Sequence, residues 1–419
     1  MKRNIWIINH YAGNTFFEKG GRHYAFAKYL KQAGYSPVVF CCNAQHNSEC
    51  QSYLQMDGIW EEQIAEEIGV PYVFVQGRQY TGNGKQRILN MFDFYRNVRK
   101  AVREYAAVHG KPDVIYASSV HPLTLVAGLK LAKHFGIRCV CEIRDLWPES
   151  LVAYGILKAT SPVAKALYRA EKRIYRKADR IVMTWPGGYD YIRDKGWEKV
   201  IPEEKVVHIS NGVDLAEYRQ NISSHPYRNP DLEQCEKRRF VYAGSIRKVN
   251  NLGVLIHATE ILKKENDDRF RLFIFGDGDE RTELEEYAVE NGLDSVAFMG
   301  KVPKYEIPSV LAQSDINILH NSSTSLDRYG QSQNKFFEYL ASGRPVLMTY
   351  SVGHSVVQEE ECGVEIERQT PEAVADAIRQ ICGLPQETID RFSRNAARCA
   401  EKYDFKVLTE KVISVIEEL

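Results

Sequence analysis

The sequence predicts an α/β protein built from two doubly wound domains, and three observations predict it. Short apolar runs of β-type residues alternate with helical-period segments along nearly all 419 residues. The alternation lapses once, near the middle, and then restarts. The glycines that interrupt it fall just after strand candidates. Strand, helix, strand in this rhythm specifies parallel pairing with right-handed crossovers. A chain of this length also exceeds one typical hydrophobic core.

In the first half, strands are expected at 4–8, 36–41, 72–75, 113–117, 138–143, 180–184 and 205–209, with helices at 20–33, 88–108, 122–135, 160–177 and 187–195. The opening run Ile5-Trp6-Ile7-Ile8 is too short for a signal-peptide core or a membrane span and reads as a buried first strand. After Asn211-Gly212-Val213-Asp214 comes a polar stretch, 217–238, without clear periodicity, which is expected to link the domains. The pattern resumes with a strand at 239–244 and a helix at 251–264. Strands at 270–275, 295–299, 315–319 and 345–349 follow, with helices at 280–291, 305–313 and 334–342. The tail, 371–419, is expected to be helical, with Pro371-Glu372 opening one helix and Asp390 capping another. The expected domains are 1–214, joined by a C-terminal helix at about 403–419 that crosses back, and 215–402.

Composition narrows the function. Equal numbers of basic and acidic residues, 55 of each, argue against a dedicated nucleic-acid binder. No segment approaches roughly 18 uninterrupted apolar residues, so a cytoplasmic protein without membrane spans is expected. Nine scattered cysteines with no C-x-x-C pair read as reduced thiols, and Cys139 and Cys141 would share one sheet face.

In doubly wound sheets ligands bind beyond the carboxyl ends of strands, so the loops there are where chemistry is expected. Glu18-Lys19-Gly20-Gly21-Arg22 places two glycines at a strand-to-helix turn, where backbone N–H groups can approach an anion. It lacks the full G-x-G-x-x-G of a nicotinamide or flavin enzyme. Gly244-Ser245-Ile246-Arg247-Lys248 combines small residues with two cations and suits a diphosphate. In Gly276-Asp277-Gly278-Asp279-Glu280 the glycines allow close backbone approach, and Asp279 and Glu280 suit the start of the next helix. The most informative stretch runs from Arg328 to Pro345. A polar loop with Gly330 enters a helix whose first turn carries Ser332, Asn334 and Lys335, with Glu338 one turn on; Gly343 and Pro345 end it. That helix start favours a phosphate. On the first domain, His121-Pro122 and Arg144-Asp145 each follow a strand. Asp145 and His121 are candidates to accept a proton, or else His121 caps a helix and Asp145 pairs with Arg144. Trp147-Pro148 reads as the wall of a pocket.

Four features in order, the Gly20-Gly21 loop, Asn211-Gly212-Val213-Asp214, Gly276 to Glu280, and Lys335-Phe-Phe-Glu338 through Gly343-Arg-Pro345, resemble the GT4 family of retaining GT-B glycosyltransferases. Glu142-Ile-Arg-Asp-Leu-Trp-Pro-Glu-Ser150 is similar to the WbuB-type transferases of O-antigen and capsule synthesis. The resemblance implies two Rossmann-like domains facing a central cleft, a nucleotide-sugar donor such as a UDP-sugar on the second domain, and a glycan acceptor on the first. It implies transfer with retention, with no covalent glycosyl-enzyme, cofactor or metal. Glu338 matches the second glutamate of the E-x7-E motif, whose usual role is to bind the donor ribose, and is counted with Asp145 and His121 as catalytic. The donor set is Gly20, Gly21, Asn211, Gly244, Arg247, Lys248, Gly276, Val302, Ser332, Asn334, Lys335 and Glu338, with base recognition expected around Gly300–Val302. Lys335 and Arg247 or Lys248 would neutralise the leaving diphosphate.

Three positions depart from the family. Gly330 stands where the first glutamate of E-x7-E is expected, Ser245 where an arginine is usual, and Asn250 where a lysine is usual. These departures keep two alternatives in play, a GT-B UDP-sugar 2-epimerase and a non-catalytic nucleotide-sugar-binding subunit. Basic and aromatic residues at 78–111 and 158–180 raise a further expectation, that the first domain sits on the inner membrane surface to reach a polyprenyl-diphosphate-linked acceptor.

Overall fold

The computed structural model describes residues 3–45, 52–82 and 84–419. Two compact units emerge, Met1–Ser210 with Phe405–Leu419, and Asn211–Asp404.

The first unit runs β1 (Asn4–Asn9), α1 (Gly13–Phe17), α2 (Arg22–Gln32), β2 (Ser36–Cys42), β3 (Trp60–Ala65), β4 (Val70–Val75), α3 (Lys85–His109), β5 (Val114–Ser118) and α4 (Pro122–Phe135). It continues through β6 (Arg138–Ile143), α5 (Glu149–Ala153), α6 (Pro162–Lys177), β7 (Arg180–Met183), α7 (Gly188–Asp194) and β8 (Val206–His208). The strands lie in the order β3-β4-β2-β1-β5-β6-β7-β8. All pairs are parallel except β3 with β4, an antiparallel edge that the sequence reading did not anticipate. The buried strand residues, such as Ile5, Ile7, Val39 and Tyr116, form one core with α2 and with the far end of the chain.

The second unit runs α8 (Leu215–Ser224), α9 (Pro230–Glu233), β9 (Arg238–Ala243), α10 (Gly253–Lys264), β10 (Phe270–Phe275), α11 (Arg281–Glu290), β11 (Val296–Gly300), α12 (Ile307–Ala312), β12 (Ile316–Leu319) and α13 (Asn334–Ala341). It ends with β13 (Val346–Met348), α14 (Val356–Glu359), β14 (Gly363–Glu365), α15 (Pro371–Cys382) and α16 (Gln386–Lys402). Its sheet is wholly parallel, in the order β11-β10-β9-β12-β13-β14. The last helix, α17 (Phe405–Glu417), belongs to the first unit. Leu408, Val412 and Ile416 enter that core, and Arg3 donates to the Ile416 carbonyl.

Several local expectations are corrected. The stretch 217–238 is not an irregular linker: α8 and α9 occupy most of it. Asp214 accepts from the Glu217 amide to cap α8, and Leu215 and Tyr218 bury its inner face. Asp390 caps nothing, because it lies inside α16, which begins after Pro385. The acids Asp279 and Glu280 form no side-chain cap on α11. The eight described cysteines are all free, and Cys50 lies outside the described residues. Among the described residues no helix is long and apolar enough to cross a membrane.

Both sheets have a point where strand order reverses, between β1 and β5 in the first unit and between β9 and β12 in the second. The strand ends that flank such a point leave a crevice between diverging loops. Both candidate clusters lie there.

Candidate functional site

In the second unit, β9 and β12 end at Ala243 and Leu319, and α13 sends Lys335 to them. Its ammonium donates to the His320 carbonyl at 2.8 Å and sits 4.8 Å from the centre of the Tyr242 ring. His320 is held on both sides, Nδ1 at 2.6 Å from the Thr349 hydroxyl and Nε2 at 2.9 Å from the Asn251 carbonyl, and burial pushes it down to about 4. The carbonyl that receives Lys335 is thus fixed. Burial also pushes the Lys335 ammonium down to about 7, and among the described residues no carboxylate pairs with it. A cation kept without a counter-ion in a crevice is a receptor for an anion brought by a ligand.

The start of α13 adds donors. The Gln333 amide is taken by its neighbour Gln331, while those of Asn334 and Lys335 meet no acceptor among the described residues. Ser332 is committed elsewhere. Its hydroxyl accepts from the Asn211 amide at 2.9 Å and its carbonyl from Asn211 Nδ2 at 2.6 Å. Both residues belong to the expected donor set. Each side chain bonds the other's backbone, and these bonds shape the loop. Glu338, one turn into α13, is half-buried and makes no side-chain hydrogen bond among the described residues, and burial raises its pKa. Tyr218 lies near it with a buried hydroxyl that has no partner.

Two glycine loops close the crevice. The Gly244 amide donates to the Phe275 carbonyl and the Ile246 amide to that of Asp277, zipping the loop after β9 to the loop after β10. The approach is so close that a Cβ on Gly276 would lie 1.7 Å from the Gly244 carbonyl oxygen, and one on Gly278 2.1 Å from that of Ile246. Both obstacles are backbone and cannot swing aside. Gly278→Ala is therefore expected to cost about 1–3 kcal/mol or more of the second unit's stability, read as a lowered melting transition. Arg247 and Lys248 stand exposed on the same loop. At the two positions where the resemblance expects cations, Ser245 donates to Asn250 at 2.9 Å, and Asn250 to Asn321 at 3.3 Å. The family's charges are replaced by a neutral chain.

Gly330, in place of a carboxylate, has φ 91° and ψ −167°. That region is open essentially to glycine alone. The backbone itself excludes a glutamate, so Gly330→Glu is expected to strain the loop by about 1–3 kcal/mol without restoring a carboxylate function. A melting curve alongside a turnover assay checks both halves. Val302 follows β11 and packs half-buried on the core.

In the first unit, His10 and His121 follow β1 and β5. His10 Nδ1 lies 2.6 Å from His121 Nε2, both rings are buried, and His121 Nδ1 has no partner. Burial, then the nearby Arg87 charge, pushes His121 down to about 3, which makes its ring neutral and a weak base. The expected proton-acceptor role gains nothing from this environment. The alternative capping role fails, since its side chain caps nothing on α4. Asp145, by contrast, is exposed, makes no ion pair with Arg144, and lines a small pocket with Ser119, His121 and Trp147.

The Gly20-Gly21 loop holds the largest surprise. Gly21 has φ 88° and ψ 174°, again a glycine conformation, and turns the chain into α2. Arg22 then points inward. Its guanidinium meets Glu142 Oε1 at 2.6 Å and donates to the carbonyls of Ile209 and Ser210. Glu142 also accepts from Tyr116 at 2.7 Å and Ser118 at 2.5 Å. Burial would raise the Glu142 carboxyl, yet Arg22 and His23 hold it well below the usual range. The cation of this loop is thus locked in the core.

Two family models match consecutive parts of the chain: Glycosyltransferase Family 4 over residues 23–217 and Glycosyl transferases group 1 over residues 237–383. A curated relative, "Probable glycosyltransferase WbjE" of Pseudomonas aeruginosa, is 23% identical over 310 residues, 73% of this chain and 74% of its own. Among solved structures, sucrose-phosphate synthase of Thermosynechococcus elongatus superposes with a TM-score of 0.69 at 16% identity, covering 100% of this chain and 99% of the other. Anabaena Alr3699/HepE in complex with UDP gives 0.65 at 15%, covering 100% of each. These likenesses establish the GT-B fold. With a Family 4 match in its first part and a group 1 match in its second, the chain is a glycosyltransferase.

Proposed function

We propose that the chain is a retaining transferase that moves a sugar from a UDP-sugar to a lipid-linked glycan acceptor in the assembly of a surface polysaccharide. The observation that carries the donor half is Lys335, a half-buried cation without a counter-ion beside two open amides at the start of α13. A diphosphate supplies the charge that this arrangement lacks, and the leaving group gains negative charge as the glycosidic bond breaks. Glu338, one turn away and without a side-chain partner among the described residues, would accept from ribose hydroxyls. Gly276 and Gly278 let the backbone crowd the same crevice. The structural neighbour Alr3699/HepE is seen in complex with UDP and with UDP-glucose, which supports uridine as the base. On the first unit, exposed Asp145 is the group available to meet an acceptor hydroxyl. Retention and the polysaccharide role follow the family resemblance, and the chemistry is assigned without a metal or cofactor.

The test is release of UDP from a panel of UDP-sugars, with and without a polyprenyl-diphosphate glycan. Acceptor-dependent release, with the product's anomeric configuration that of the donor, is the expected result. Donor isomerised without acceptor would make the chain an epimerase, and binding without turnover would make it a binding subunit. Asp145→Asn is expected to lower transfer about 10²–10⁴-fold with donor affinity unchanged, measured by initial rates and donor titration.

A further inference from the structure

The zero net charge conceals a division between the units. The first carries thirty-two lysines and arginines against twenty-three acids, and the second carries twenty-three against thirty-two. Part of the first unit's surplus is concentrated on α6, which bears Lys165, Arg169, Lys172, Arg173, Arg176 and Lys177. None of these six enters an ion pair among the described residues. The one acid of α6, Glu171, is buried and accepts from Tyr175 and Tyr191 at 2.7 and 2.8 Å, so it offsets nothing at the surface.

The outward face of this helix is unusual in a second way. Ala164, Glu171, Ile174 and Tyr175 turn inward, leaving Val163, Ala166 and Ala170 exposed among the cations. The loop that leads into the helix adds Tyr154 and Ile156. Ile156 is 73% exposed and Val163 59%. A lone exposed aliphatic side chain is ordinary, and so is a solvated lysine. Aliphatic tips and small residues ringed by unpaired cations, with no exposed acid on the helix, are the pattern of a helix that lies in a lipid interface.

We propose that residues 154–177 dock the first unit on an anionic lipid bilayer. Tyr154, Ile156 and Val163 enter the headgroup layer, and the α6 cations meet lipid phosphates. A nucleic acid fits less well: bare aliphatic tips gain nothing from a phosphate backbone, and of the aromatic rings in 154–177 only that of Tyr154 is exposed. The proposal extends the lipid-linked acceptor reading and rests on it for its purpose, but the two fail separately.

The experiment is sedimentation of the full chain with vesicles of phosphatidylcholine alone or mixed with phosphatidylglycerol. Binding to the mixed vesicles alone, weakened by salt, is expected. Each cation near such a surface contributes about fivefold in affinity. The triple variant Lys165→Gln, Arg169→Gln, Arg173→Gln is therefore expected to bind about a hundredfold more weakly, with its melting curve and UDP affinity unchanged. Ile156→Ser is expected to weaken binding severalfold with the same salt slope, because it removes apolar insertion and leaves charge alone. Equal vesicle binding by the triple variant overturns the proposal, as does absence of binding by the native chain. Charge-dependent retention on duplex DNA without vesicle binding overturns it in favour of a general polyanion site. Vesicle binding by a chain that glycosylates water-soluble glycans and ignores lipid-linked ones upholds the docking surface and sinks the acceptor reading.

Discussion

Lys335→Ala is expected to lower turnover about 10²–10³-fold, the loss seen when one preorganised donor to a developing negative charge is removed. The geometry gives the reason for so large an effect. The ammonium is held by a carbonyl and an aromatic face, both neutral, so its charge is uncompensated until a ligand arrives. Truncation removes a charge that solvent cannot replace in a half-buried crevice. Arg247 and Lys248 stand exposed and screened, and their alanine variants are expected to cost only a few-fold. Comparable losses in all three would mean that the phosphate contact is diffuse and not centred on α13.

The same lysine predicts a pH dependence with a definite sign. In the free protein it loses its proton near pH 7, well below the usual lysine value. Donor affinity is therefore expected to fall as pH rises above about 7, since binding then requires the proton to be taken up. Stability moves the opposite way. Between about 7 and the ordinary lysine range the unfolded chain binds the extra proton, so stability contributed by this site rises with pH. Lys335→Met is expected to flatten both dependences. Calorimetric titration with UDP across pH, beside melting curves over the same range, checks them together.

What could be read from the sequence was what is local. The α13 signal, with its polar loop, Lys335, Glu338 and a Gly343 stop, lies within some sixteen residues and survives in the structure as one object. Parallel strands such as β1, β5 and β10 were legible because burial on both faces makes them continuous apolar runs. The edge strand β3 was not, for Trp-Glu-Glu-Gln-Ile-Ala carries an acid on each face and gains its conformation from pairing with β4. The helix α8 had a signal that was passed over, Asp214 as cap with Leu215 and Tyr218 one turn apart. Ser332 and Asn211 were each recognisable as site positions, yet their mutual hydrogen bonds join residues 121 apart and no spacing rule reaches that far. Gly330 was visible as a departure, but only its backbone angles explain it.

The second large expectation concerns the ion pair that the sequence hid most completely. Arg22 and Glu142 are separated by 120 residues and buried at 2% and 0% side-chain exposure, and folding brings them to 2.6 Å. Removing one member strands the other charge in the core. Arg22→Met is therefore expected to destabilise the first unit by about 3–5 kcal/mol, and further because the Ile209 and Ser210 carbonyls lose their donor. Glu142→Gln is expected to fall in the same range. The double variant should lose less than the two singles combined, because it leaves no unpaired ion. Acid should mimic these losses. His23, pushed down to about 4 by burial, withdraws stability as pH falls from its usual range towards 4, where the unfolded chain binds the proton first. Glu142, held well below the usual range, withdraws its share at still lower pH. Calorimetric melting of the native chain and the three variants between neutral and acid pH is the measurement. A native first unit that melts independently of pH down to 4, or a double variant as damaged as the sum of the singles, would show that the pair is not coupled as its geometry requires.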